Sequence, residues 1–230
     1  HNYGGITRDV RLVTTPGTFI RDYHIRLLNH ETGDAAADVY LDGAQAGQRV
    51  RLRLPGLRET VSARVDSDGR AHLRWRTAAQ LWSPASPTLY AVELTAGEDR
   101  IDDQVGFRTI AVAGEDILLN GEPIFLRGVS AHEESILHPG RAFGPDDARA
   151  TLALVQQLNG NFLRLAHYPH DEATTRMADQ LGVLIWVEMP LYWGIDWDNE
   201  ATLASARMQT RAMVARDRNR ASVILWSIAN

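Results

Sequence analysis

The hydrophobic period of this chain changes once, close to Asn120-Gly121, and that change constrains the fold more than any other feature. Before it, apolar residues recur at every second position in short runs. After it, they recur at helical spacing between short continuous apolar stretches. In Arg49–Leu54, Val50, Leu52 and Leu54 share one face and three arginines the other, the pattern of a strand with one face in water. Similar short runs occupy Arg8–Val13, Thr18–Leu28, Asp38–Leu41, Glu59–Val65, Ala71–Arg76, Leu89–Thr95 and Val105–Val112. Turn chemistry separates them at Pro16-Gly17, Asp42-Gly43, Pro55-Gly56, Asp68-Gly69 and Gly97. About seven strands in roughly 100 residues, with no helical period among them, predict an antiparallel β-sandwich of immunoglobulin type. The chain has no cysteine, so the disulfide-bridged antibody variety does not apply.

The second half alternates strand and helix. Ile124–Val129 reads as a strand. Pro145 then suits a first helical turn, Asp146 and Asp147 suit its positive end, and Ala148, Leu152, Val155 and Leu158 follow at helical spacing up to Asn159-Gly160. Phe162–Ala166 is a second strand. Asp171 caps a helix that carries Met177, Ala178 and Leu181 inward to Gly182. Val183–Val187 is a continuous apolar run, as expected of a parallel strand covered on both faces. A helix of about 18 residues from Asn199 precedes the last strand, Val223–Ala229. The order βαβαβαβ fits a doubly wound sheet or a (β/α)8 barrel.

Composition removes several function classes. There are 230 residues, 44% hydrophobic and 23% charged, with a net charge of −5, which argues against nucleic acid or an anionic membrane as the main partner. The longest apolar runs, Val183–Val187 and Val223–Trp226, are far too short for a helical membrane span. All 24 basic residues are arginine, which excludes a Schiff-base lysine, and the missing cysteines exclude thiolate sites. No Gly-x-Gly-x-x-Gly or Walker-type loop follows a strand, which disfavours a nucleotide-binding α/β enzyme. Because the first residue is His1 and no leader follows, the chain is expected to be processed or to begin inside a longer gene product. The compartment (bacterial cytoplasm, periplasm or secreted) is left open.

Polar and aromatic residues gather where the later strands end: His132 and Glu133, Arg164 and His167, Glu188, and Asn230. Barrels keep their active sites at such strand ends. A complete barrel needs about 250 residues, whereas residues 112–230 hold about four strands, so the first half of a barrel is expected. A zinc site at His167 and His170 is disfavoured, since His-x-x-His is a weak signal and no His-Glu-x-x-His exists.

These residues resemble glycoside hydrolase family 2, which includes β-galactosidases and β-glucuronidases. Asn2-Tyr3-Gly4-Gly5-Ile6 with Arg8-Asp9-Val10 resembles the stretch leaving the family's N-terminal sugar-binding domain. Leu81-Trp82-Ser83-Pro84, Pro87, Leu89-Tyr90 and Gly106-Phe107-Arg108 resemble the late part of its sandwich. Leu119-Asn120-Gly121-Glu122-Pro123 through Leu126-Arg127-Gly128-Val129, with His132-Glu133, is similar to its barrel opening. Asn161-x-x-Arg164-x-x-His167-Tyr168-Pro169 with Ala178-Asp179-x-x-Gly182, and Arg216-Asp217-Arg218-Asn219-Arg220 with Ser222-Val223-Ile224 and Trp226-Ser227-x-x-Asn230, resemble its two signatures.

The resemblance implies three parts: a tail of a sugar-binding β-domain (1–14), an immunoglobulin-like β-sandwich (15–111) and the N-terminal half of a TIM barrel (112–230). It implies that the parent hydrolyses terminal β-D-galactosides with retention. A β-glucuronidase is the alternative, and a non-catalytic carbohydrate-binding or scaffold protein the rival from another class. In the family the acid/base glutamate directly follows the asparagine matched by Asn230, and the nucleophile lies on a later strand. Retaining glycosidases need two carboxyl groups about 5–5.5 Å apart, so no catalytic carboxylate is assigned here and the chain alone is expected to be inactive.

Substrate contacts are implied for His132, His167 and Asn230, the last through the sugar 2-hydroxyl. Trp193 and Trp197 can stack on a sugar or pack over the barrel mouth. Arg164 and Glu188 are expected as site support, Arg164 paired with the family nucleophile or with Glu188, and Glu188 as a catalytic carboxylate is a runner-up. Trp82, Trp186 and Trp226 are expected in the core. Family galactosidases often hold magnesium through a carboxylate just beyond the Glu188 position. Here Met189-Pro190-Leu191-Tyr192 offers none, so no metal or cofactor is expected. A half barrel would leave two open edges and an inner face carrying Ile185 and Leu225, so a homo-oligomer is expected.

Overall fold

The computed structural model describes Ile6 and residues 8–230, so Asn2 to Gly5 of the first quoted motif lie outside the described residues. The chain divides into two compact units, Arg11–Ile124 and a second that joins residues up to Val10 with Phe125–Asn230.

In the first unit β1 (Phe19–Leu27), β2 (Asp34–Asp42) and β5 (Arg70–Arg76) form one antiparallel sheet. The facing sheet runs β4 (Glu59–Arg64), β3 (Arg49–Leu54), β6 (Tyr90–Ala96) and β7 (Asp99–Val105). This division is immunoglobulin-like. Alternation does the work: Val50, Leu52 and Leu54 are fully buried against Val92, Leu94, Val39 and Leu73, while the arginines between them face outward. Trp82 and Phe107 are buried, and Phe107 meets Trp75 edge-on with ring centroids 6.4 Å apart.

Two expectations fail here, and one strand goes unpredicted. Arg8–Val13 forms no strand. Val105–Val112 is broken, because β7 ends at Val105 and β8 (Ile110–Ala113) starts a separate sheet with β9 (Asp116–Leu119) and β10 (Glu122–Ile124). The strand at β7 is hidden in the sequence by Asp-Arg-Ile-Asp-Asp: Arg100 and Asp102 lie on its wet face, while two further acids, Asp99 and Asp103, share the inward side with Ile101 and Val105 and break the apolar alternation.

The second unit holds a parallel sheet in the order β11 (Gly128–Ala131), β12 (Phe162–Leu165), β13 (Leu184–Glu188) and β14 (Val223–Ser227). Between them lie α1 (Gly144–Gln157), α2 (Glu172–Leu181) and α3 (Glu200–Asp217). This is a partial TIM-barrel sheet. Ile124–Val129 is not one strand: β10 and β11 belong to different sheets, with Phe125 to Arg127 between them. Asp171 and Asn199 cap α2 and α3 by accepting backbone N–H groups, and Gly182 closes α2 in the left-handed region at φ 72°.

Leu163 and Leu165 of β12 and Ile185 and Val187 of β13 pack with Leu152, Val155, Met177 and Ala178 of the helices. Ile185 therefore faces the helix layer and not the inner face. Alternation places Leu184, Trp186 and Glu188 on the opposite side, and Leu225 is registered with Trp186. Trp226, expected in the core, is 39% exposed, and Trp186 is half-buried.

Candidate active site at the ends of four parallel strands

Parallel strands end on the same side, so the residues that follow β11, β12, β13 and β14 converge. His132 and Glu133 follow β11, His167 and Tyr168 follow β12, Glu188 closes β13, and Asn230 lies three residues past β14. The sheet's inner face carries Arg164 on β12 beside Trp186 on β13, with the guanidinium 4.6 Å above the indole centroid.

Glu188 is fully buried and is the centre of the cluster. Its Oε2 accepts Arg164 Nε at 2.8 Å and lies 2.8 Å from Arg164 Nη2. Its Oε1 lies 2.5 Å from His167 Nδ1. A carboxylate accepts only, so His167 carries its proton on Nδ1 and presents Nε2 as an acceptor when neutral. The 3.4 Å approach of Arg164 Nη2 to the same Nδ1 sets donor against donor, and the shorter contact decides the tautomer. Arg164 Nη2 also donates to Asn230 Oδ1 at 2.7 Å. That fixes the amide with its oxygen inward and its NH2 as the donor end.

The His132 ring stands edge-on to His167 at 5.3 Å between centroids. Tyr192 lies 6.2 Å from His167 on the other side, and Trp193 stands edge-on to Tyr192 at 5.6 Å. Trp193 is 93% exposed and adopts φ 66°, so its ring is offered to solvent rather than packed. The structure thus brings His132, Arg164, His167, Glu188 and Asn230 together, with Trp193 reached through Tyr192. Trp197, 61% exposed, joins none of these ring contacts among the described residues.

Sequence reasoning missed three participants. Tyr192 lies in a stretch that offers no acid and carries no other sequence signal. Trp186 is expected in the core, yet its alternation with Glu188 on one strand signals that both face the same side. Glu133 stands at a strand end, where the sequence assigns it no role. It is 3% exposed and its carboxylate accepts from Arg8, Arg141 and the Asp171 backbone N–H. His170, the other half of the disfavoured zinc pair, is buried and places Nε2 3.0 Å from the Ala166 carbonyl oxygen. Burial lowers its pKa to about 4, so it remains neutral. Among the described residues no group of three or more His, Asp or Glu side chains is arranged to hold a metal ion.

A buried carboxylate orients an arginine and a histidine at the C-terminal ends of parallel barrel-type strands, with an exposed indole nearby, and that end is where barrel enzymes keep their active sites. The family is then explicit. Residues 110–230 match the TIM barrel domain of glycosyl hydrolases family 2, and residues 18–108 match a second domain of that family. The chain belongs to glycosyl hydrolase family 2.

It is similar to a beta-glucuronidase of Paenibacillus borealis, at 32% identity over all of this chain and 41% of the relative. It is also similar to a beta-galactosidase of Arthrobacter sp. (strain B7), at 30% identity over 98% of this chain and 23% of the relative. Among solved structures, the Bifidobacterium dentium beta-glucuronidase complexed with coumarin-3-O-glucuronide superposes with a TM-score of 0.82 at 28% identity, over 93% of this chain and 37% of that one. The chain therefore spans less than half the length of these relatives.

Proposed function

We propose that this chain supplies the sandwich and the first four barrel strands of a retaining exo-glycosidase whose preferred glycone is β-D-glucuronide. The carrying observation is the Glu188-centred cluster, in which one buried carboxylate orients Arg164 and His167 while Arg164 holds Asn230. In this reading Asn230 donates through its NH2 to the sugar 2-hydroxyl, a contact that strengthens as the oxocarbenium-like transition state develops. His167 Nε2 accepts from a second hydroxyl, His132 contacts the same sugar, and Trp193 stacks on its apolar face. Glu188 has both oxygens engaged, so it serves as an orienting group and not as the attacking or protonating one. The relatives named beta-glucuronidase support the glycone. A β-D-galactoside is the second reading, supported by the Arthrobacter relative.

The test uses the full-length protein with 4-methylumbelliferyl β-D-glucuronide and β-D-galactoside, and NMR to identify the first anomer released. Glucuronide turnover with β-anomer released first is expected. A preference for galactoside overturns the glycone assignment, release of the α-anomer overturns retention, and no turnover of any glycoside overturns the enzymatic reading.

A further inference from the structure

The carboxylate of Glu133 lies outside the Glu188 cluster but next in sequence to His132. It is 3% exposed and collects donors from three separate segments. Arg8 Nη2 reaches its two oxygens at 2.7 and 2.8 Å, across 125 positions of sequence. Arg141 Nε donates to Oε2 at 2.5 Å from the loop that follows β11. The backbone N–H of Asp171, the cap of α2, donates to Oε1.

The arrangement continues toward the site. The Glu133 N–H donates to Tyr168 Oη at 3.3 Å, and the Arg141 guanidinium sits 4.9 Å above the Tyr168 ring. The ring of Tyr168 lies 6.1 Å from that of His132. With its oxygen accepting from the backbone and burial holding its proton on, Tyr168 keeps a hydroxyl proton to give.

A carboxylate saturated in this way has fixed position and fixed rotamer, because each oxygen is held from more than one direction. It ties together the two loops, 132–143 and 166–171, that carry His132, His167 and Tyr168. We propose that Glu133 is a positioning residue for His132 and Tyr168, with Arg8 as its distal anchor, so that the segment preceding the sandwich takes part in setting the geometry of the sugar-binding end. The inference rests on the glycosidase reading for its catalytic consequence but not for the link itself.

Charge explains why the link should be sensitive. Glu133 separates two guanidinium groups, those of Arg8 and Arg141. Removing its charge leaves Arg141 with a poor acceptor and Arg8 with that acceptor and the more distant Asp171 carboxylate, 3.7 Å from its Nε, and the loops lose their common anchor. A displacement of catalytic contacts by about 1 Å can cost roughly a hundredfold in rate.

The test is a double-mutant cycle in the full-length protein with Glu133→Gln, Arg8→Ala and the pair, read by kinetics and by hydrogen exchange of the two loops. Glu133→Gln is expected to lower kcat by about tenfold or more with a smaller change in KM. Arg8→Ala is expected to fall several-fold and to recover in part as Arg8→Lys. In the Glu133→Gln background, Arg8→Ala should add less than about twofold, since the charge of its main partner is already gone. Faster exchange in loops 132–143 and 166–171 should accompany each single variant. If Glu133→Gln does not fold, Arg8→Ala against Arg8→Lys carries the test, because Arg8 is partly exposed.

Effects of the two substitutions that simply multiply, or normal turnover with unchanged exchange, overturn the proposal. If the unaltered protein hydrolyses no glycoside while the variants still loosen both loops, the glycosidase reading fails and the link stands.

Discussion

Replacing Glu188 by leucine and by glutamine separates charge from shape at the centre of the site. Glu188 is fully buried, whereas the side chains of its partners Arg164 and His167 are 22% and 27% exposed. Leucine fills the volume but removes the acceptor, leaving Arg164 with Asn230 Oδ1 and the Trp186 face. Breaking a buried ion pair costs about 3–5 kcal/mol. Because Arg164 keeps one hydrogen bond and some solvent, the lower end, about 3 kcal/mol, is expected.

Glutamine still accepts from the charged Arg164, but its bond with His167 falls from the charge-assisted range of about 1.5–3 kcal/mol to about 0.5–1.5, so a loss of about 1–2 kcal/mol is expected. Its amide oxygen must face the Arg164 fork, which aims NH2 at His167 Nδ1. The ring then has to accept at Nδ1, and its proton moves to Nε2. Hydrogen exchange of β12 and β13 amides in the full-length protein reports the stability of this unit alone, and histidine 15N shifts report the tautomer. A leucine variant as stable as the parent, or an unchanged His167 tautomer in the glutamine variant, would refute the claim that Glu188 orders the site.

Three further outcomes are expected. Burial raises the Asp179 pKa to about 6 against the pull of Arg220, from an ordinary 3.8. Its stabilising contribution is therefore complete below about pH 4 and lost as pH rises to about 6, a change of about 3 kcal/mol. Asp179→Asn, which cannot titrate, should gain relative stability over that window, and a flat difference in urea unfolding between about pH 4 and pH 7 would contradict this. Gly128→Ala would bring a Cβ to 2.2 Å from the Phe162 carbonyl oxygen, so β11 must shift. A loss of about 1–3 kcal/mol is expected in thermal unfolding, and an unchanged melting temperature would speak against the β11–β12 register. Asn199→Ala removes the acceptor for the Ala201 and Thr202 N–H groups. It should cost about 1 kcal/mol, visible as faster exchange in the first turn of α3, and unaltered exchange there would show that the cap contributes nothing.

The elements most legible in the sequence were those whose local and tertiary demands coincide. The helix α2 has a cap, an apolar stripe and a terminal glycine, all of which the sequence states within twelve residues, Asp171 to Gly182. The buried run of β13 needs only continuous hydrophobicity. Illegible elements were those where side chains on a solvent face outvoted the buried ones, as in β7, or where a short strand changed sheets, as between β10 and β11.

The site divides along the same line. His132, Arg164, His167, Glu188 and Asn230 could be placed at strand ends because parallel strands share a direction. That Arg164 pairs with Glu188, that His167 is held in one tautomer, and that Trp186 faces the arginine depend on the register of β12 against β13, which no local pattern encodes. The sequence by itself determined the two structural grammars, the capped helices and the side of the sheet on which polar residues collect, because period and capping act over a few residues. Only the tertiary structure decided the partners of the buried charges and the tie from Arg8 to Glu133. An ion pair across 125 positions exists only once the sheet and its loops have brought both groups out of water together.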